Sequence, residues 1–89
     1  MDRVAEIRSR LEKSFSPEQL EIRDDSAQHT DHPGAKASGG GHFAVTIVSE
    51  KFNGLNMVQR HRAVYMAVED MMPAEIHALS IRALAPGEN

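Results

Sequence analysis

Histidine is the residue type in this sequence best suited to chemistry. The 89-residue chain has five histidines and no cysteine. No disulfide can form, and any d-block metal must be held by imidazoles or carboxylates. Three of the five crowd into residues 29–42, HTDHPGAKASGGGH, where His29 and His32 stand in H-x-x-H spacing and His42 closes the run. A neutral imidazole is a common metal ligand. Without cysteine, however, H-x-x-H is a weak metal signal, and Gly39-Gly40-Gly41 reads most simply as a flexible connection. His77 opens an alternating apolar segment on its apolar side, the place of a satisfied core or rim residue as well as of a ligand. His42 reads as structural or solvent-facing, and His61 as a packed, hydrogen-bonded core residue.

Other chemistry has less support. There is no cysteine nucleophile, no serine in a nucleophile-elbow pattern, and no paired carboxylates near the histidines, so an enzyme is not expected. Lys51, Arg60 and Arg62 could contact phosphate, or could simply form a solvated rim. The formal net charge of -3 gives no general drive toward nucleic acid. No apolar run approaches the roughly 20 residues that span a membrane, and no signal peptide opens the chain. A soluble, cytoplasmic protein is the expectation.

These side chains need elements to hold them. With 40% hydrophobic and 26% charged residues the chain should form a globule, and its length suits one domain, residues 1–89. Val4, Ile7, Leu11 and Phe15 recur at steps of three and four within residues 2–15, which predicts an amphipathic helix with Asp2 at its start and Ser16-Pro17 at its end. QLEIRDDS alternates, with Leu20 and Ile22 on one face. HFAVTIVS, residues 42–49, is rich in β-branched residues and puts Phe43, Val45 and Ile47 on one face. Between these strands lies a His- and Gly-rich loop, residues 26–41.

Phe52-Asn53-Gly54 predicts a turn into a second helix over residues 56–71. At 100° per residue its Met57, Val58, His61, Val64, Tyr65, Val68, Met71 and Met72 fall within an arc of about 140°, flanked by Arg60 and Arg62. Residues 74–76 read as a connector. HALSIRAL reads as the third strand, with His77, Leu79, Ile81 and Ala83 on one face, and residues 86–89 as a frayed tail. The order helix, strand, strand, helix, strand predicts an α+β fold with helices on one face of a small mixed three-stranded sheet. Strands one and two should be antiparallel, and strands two and three parallel through a right-handed helical crossover. The end of strand one and the starts of strands two and three then share one end of the sheet. The His-rich loop should therefore converge on His77.

Residues 42–86, HFAVTIVSEKFNGLNMVQRHRAVYMAVEDMMPAEIHALSIRALAP, resemble the BolA family. The resemblance rests on His42-Phe43 opening a strand, Val48-Ser49 closing it, the Phe52-x-Gly54 turn, Arg60-His61-Arg62-x-Val64-Tyr65, and Ile76 to Ile81 in the last strand. Upstream, LEIRDDSAQH is similar to the family's first strand and the start of its variable loop, so the likeness runs over roughly residues 3–86. It implies a fold similar to type II KH domains, although the G-x-x-G loop of nucleic-acid-clamping KH domains is missing, since Leu55-Asn56-Met57 follow Gly54.

The resemblance also implies a monothiol glutaredoxin as partner, sharing a [2Fe-2S] cluster to which glutathione contributes, with none in the isolated chain. His77 matches the family's C-terminal cluster histidine, and His29 matches its loop histidine better than His32 does. This chain departs from the family where the loop is long and Gly39-Gly40-Gly41 replace a Ser-Glu-Ser-like stretch. A second implied activity is DNA-binding regulation of cell-shape and stress-response genes, which would engage Lys51, Arg60 and Arg62. A monomer or weak homodimer away from membranes is expected.

Overall fold

The computed structural model describes residues 2–25 and 41–88. Helix α1, Arg3–Phe15, starts where the Asp2 side chain accepts a hydrogen bond from the Ala5 N–H (3.2 Å). It stops at Ser16, whose backbone is left-handed (φ 42°) and whose N–H returns to the Glu12 carbonyl. Ile7, Leu11 and Phe15 form its buried stripe. Strand β1, Gln19–Asp24, runs antiparallel to β2, Gly41–Val48, with Leu20 opposite Ile47 and Ile22 opposite Val45. Strand β3, Ile76–Leu84, runs parallel to β2 on its other side, so β2 is the middle strand. Gly41, read as the last loop residue, belongs to β2.

Both helices lie against one face of this sheet. Phe43, Val45 and Ile47 of β2 are buried there with Ile7, Leu11 and Phe15, with Val64 of α2 (Met57–Ala67) and the following Val68 and Met71, and with Leu79 and Ala83 of β3. Val4 and Ile81, expected in the same core, pack against it half-buried. The opposite face carries Glu21, Arg23, Thr46, Ser80 and Arg82, none of them buried.

The segment from β2 to α2 is tied at both ends. Buried Ser49 donates its hydroxyl hydrogen to the Phe15 carbonyl (2.6 Å) and accepts from the Lys51 N–H (3.1 Å), which starts a 3-10 turn at Glu50–Phe52. The Phe52 ring is buried and lies 5.0 Å from that of Phe15. Gly54 then turns the chain with φ 80°, a region where a side chain would be strained. Asn56 and Gln59 close a reciprocal capping box at the start of α2 (2.8 and 2.9 Å). Across the helices, Arg10 of α1 pairs with Glu6 (3.0 Å) and with Asp70.

The second helix differs from its sequence reading in length and in facing. It leaves α geometry at Val68 (φ -121°, ψ 15°) and continues as a 3-10 turn, Glu69–Met71. Its buried side is Arg60, Val64, Val68 and Met71, flanked by Ala63 and Ala67, rotated about 60° from the middle of the apolar arc. Met57, Val58 and Tyr65, expected inside, are exposed. Ala63 and Ala67 pack partly buried on that side, and periodicity scores them below the large residues that ended outside.

Two substitutions check this packing. Ser49→Ala leaves the Phe15 carbonyl without its buried donor and should cost about 1–3 kcal/mol in denaturant titration. Val68→Asp should leave no cooperative folding transition, because the side chain is fully buried and an unpaired charge there has no partner.

Candidate functional site

The end of the sheet where β1 finishes and β2 and β3 begin carries the histidines. Along β3 the ladder is in step from Ala78 onward, with His42 opposite Ala78 and Phe43 opposite Leu79, but Gly41 pairs with Ile76. His77 is the extra residue of a β-bulge at this point. The bulge resets the alternation. Ile76, read as a connector, goes into the core fully buried, and His77, read as sharing the face of Leu79 and Ile81, is exposed instead.

His77 is not isolated. Its ring lies 5.3 Å from that of half-buried His42, the planes inclined by 53°. His42 was read as structural or solvent-facing, so this pairing is what the sequence reading missed. A signal for part of it existed: His42 has the opposite parity to Phe43 and must leave the core face. The bulge that brings His77 to it has no sequence mark. His29 and His32 lie outside the described residues, as does most of the His-rich loop. Asp25, just before it, and Gly41, its last residue, are described. The Asp25 N–H donates to the His42 carbonyl (2.7 Å), and the Gly41 N–H donates to the Glu75 carbonyl (3.2 Å). The segment carrying His29 and His32 therefore leaves and rejoins the described chain beside the His42–His77 pair. Among the described residues no group of three or more His, Asp or Glu forms a closed metal site.

His61 sits half-buried on α2. It was read as a packed, hydrogen-bonded core residue, but its buried Nε2 has no hydrogen-bond partner among the described residues. Tyr65 sends its hydroxyl to the Leu79 carbonyl (3.0 Å).

The three basic residues read as a phosphate-binding set separate into two kinds. Arg60 is buried, and it is committed. Its Nε donates to the Leu55 carbonyl (2.9 Å), its Nη1 to the Ala83 carbonyl (3.0 Å), and both terminal nitrogens fork onto Glu88 (2.6 and 3.0 Å). A guanidinium spent on two carbonyls and a carboxylate is a structural clasp, not a free cation. The reason sequence placed it on a rim is that its partners are nonlocal. Lys51 and Arg62 remain exposed, with no ion-pair partner among the described residues.

Glu88 completes the clasp and ties back a segment read as a frayed tail. It accepts from the Ala85 N–H (2.9 Å) as well as from Arg60. The Arg60 hydrogen bonds, helped by that backbone donor, lower its pKa from the ordinary 4.5 to about 2. A depressed carboxylate stabilises the fold above its unfolded pKa and loses that contribution as pH falls through the folded value.

Known proteins resemble this chain closely. The family model described as BolA-like protein matches residues 11–88. BolA-like protein 1 of Homo sapiens is 42% identical over 84 residues, covering 94% of this chain and 58% of the human protein. The chain thus spans somewhat less than two thirds of that relative. The DNA-binding transcriptional regulator BolA of Vibrio cholerae is 40% identical over 75 residues, covering 84% of this chain and 67% of its own. Among solved structures, the BolA domain of SufE1 from Arabidopsis thaliana superposes with a TM-score of 0.85 at 40% identity, covering 100% of this chain and 98% of that one.

The Arg60–Glu88 clasp is testable by acid. Between pH 4.5 and about 2 the parent should lose stability more steeply than Glu88→Gln, whose curve lacks the Glu88 contribution throughout. Arg60→Ala should lower the melting temperature at neutral pH. Thermal melts at stepped pH read both.

Proposed function

This chain belongs to the BolA family, and from that premise we propose that it is an adaptor which binds a monothiol glutaredoxin and shares a [2Fe-2S] cluster with it. His77 is the ligand from the described residues, and His29, with His32 as the alternative, is the ligand from the loop. The observation that carries this reading is the exposure of His77 at the sheet end where the loop's two ends attach.

The donor set suits the group. Neutral imidazole ligates iron in clusters where histidines replace cysteines, and a chain without cysteine must rely on its partner for thiolates. Bound, the cluster supplies an exchangeable iron–sulfur unit completed by the partner's cysteine and glutathione. The chain's own contribution is positional. The bulge lifts His77 out of the alternation and presents it to solvent, where a partner can reach it, while Ile76 anchors the same turn in the core. Met57, Val58 and Met66, at 56%, 63% and 64% exposure, make α2 unusually apolar toward solvent, which also suits an adaptor.

A second reading is supported by the name of the Vibrio cholerae relative and by exposed Lys51 and Arg62: a DNA-binding regulator. Against it stand the net charge of -3 and the commitment of Arg60 to Glu88. If this reading holds, affinity for duplex DNA falls steeply with salt, and Lys51→Ala and Arg62→Ala each reduce the slope. A flat, weak profile that ignores both substitutions is the expected result for this domain.

The adaptor reading is tested by mixing the chain with cluster-loaded monothiol glutaredoxin and recording visible circular dichroism. A new spectrum should form, His77→Ala should abolish it, and His29→Ala should shorten cluster lifetime without changing the fold. An unchanged spectrum and lifetime in His77→Ala would sink the proposal.

A further inference from the structure

Beyond any shared cluster, we propose that His42 and His77 form a two-imidazole site for a single divalent d-block cation, taken up by the isolated chain. The proposal shares His77 with the adaptor reading but needs no glutaredoxin. Its first support is distance. With metal–nitrogen bonds of about 2.0–2.1 Å and tetrahedral angles, two imidazoles on one ion have ring centroids about 5 Å apart. The observed separation is 5.3 Å. The ring centres stand at about the spacing that coordination requires, so bringing a nitrogen of each ring onto one ion calls for side-chain torsions and no movement of the strands.

The second support is rigidity of the backbone beneath. His42 lies in the middle strand, laddered on one side to Ala78 and bonded through its carbonyl to the Asp25 N–H on the other. His77 is clamped between Ile76, fully buried, and Ala78, paired with His42. Two ligands on adjacent hydrogen-bonded strands lose little freedom when an ion joins them. His77 is exposed, so a hydrated ion can reach the pair from solvent.

The third is chemical class. Two imidazoles with no oxygen cage among the described residues select borderline metals and not Mg2+ or Ca2+. No third described side chain closes the site, so an ion held by this pair alone completes its shell with water and exchanges, unlike a structural four-ligand zinc. Affinity should run Cu2+ above Ni2+ and Cu2+ above Zn2+.

The test uses untagged protein, because a polyhistidine tag would bind the same ions. Ni2+ and Cu2+ are titrated into the chain by calorimetry, with visible d–d absorption recorded in parallel. One ion per chain is expected. His42→Asn and His77→Asn should each weaken binding by about tenfold or more, since loss of even an outer-shell partner costs that much. Both residues lie outside the core, and unchanged thermal melts will confirm that the variants fold. The double variant His29→Asn, His32→Asn should keep stoichiometry and affinity. Parent-like binding in either His42→Asn or His77→Asn overturns the proposal, as does loss of the ion in the loop double variant. No glutaredoxin is present, so failure here leaves the adaptor reading standing, and failure of the glutaredoxin experiment leaves this site standing.

Discussion

Strand β2 is hydrogen-bonded along both edges, antiparallel to β1 and parallel to β3, and most of the molecule follows from that arrangement. A middle strand has no free edge, so its alternation decides two faces at once. Phe43, Val45 and Ile47 commit one face to the helices, and each such burial contributes about 1.5–3 kcal/mol. The same parity sends His42 to the other face. Opposite strand directions on the two edges bring the exit of β1 and the entries of β2 and β3 together, which puts the ends of the His-rich segment beside His77.

A single bulge then converts a core-building strand into one that also presents a side chain. Without it, His77 would point with Leu79 toward the helices and Ile76 would point away. With it, Ile76 fills the core, and an imidazole stands in solvent next to His42. Core and site are made by adjacent residues of one turn. Stability and presentation are thus coupled there, and the fully buried Ile76 is what holds the exposed His77 in place.

At the other end of the molecule, Arg60 shows how a charged residue becomes part of the interior. Its stem lies with Val64 and Val68 on the buried side of α2, and its head reaches the Ala83 carbonyl and the Glu88 carboxylate. Four hydrogen bonds, two of them forked onto a carboxylate, offset the cost of removing the guanidinium from water. The clasp also brings the C-terminal segment back onto the domain, so α2, β3 and residues 85–88 form one connected unit.

What the amino-acid sequence determined by itself were the features carried by local periodicity. The stripe Ile7, Leu11, Phe15, the alternation through Phe43, Val45 and Ile47, and the turn at Gly54 each depend on residues close in the chain, and each was legible. So was the layered α+β order, because strand direction follows from connection length. Tertiary structure alone decided which part of the α2 arc faces inward, since that depends on packing against strands and a helix distant in the chain. It alone turned Arg60 from rim to clasp, because Ala83 and Glu88 lie 23 and 28 residues away. And it alone paired His77 with His42, because a bulge is a mismatch between two strands and neither strand records it.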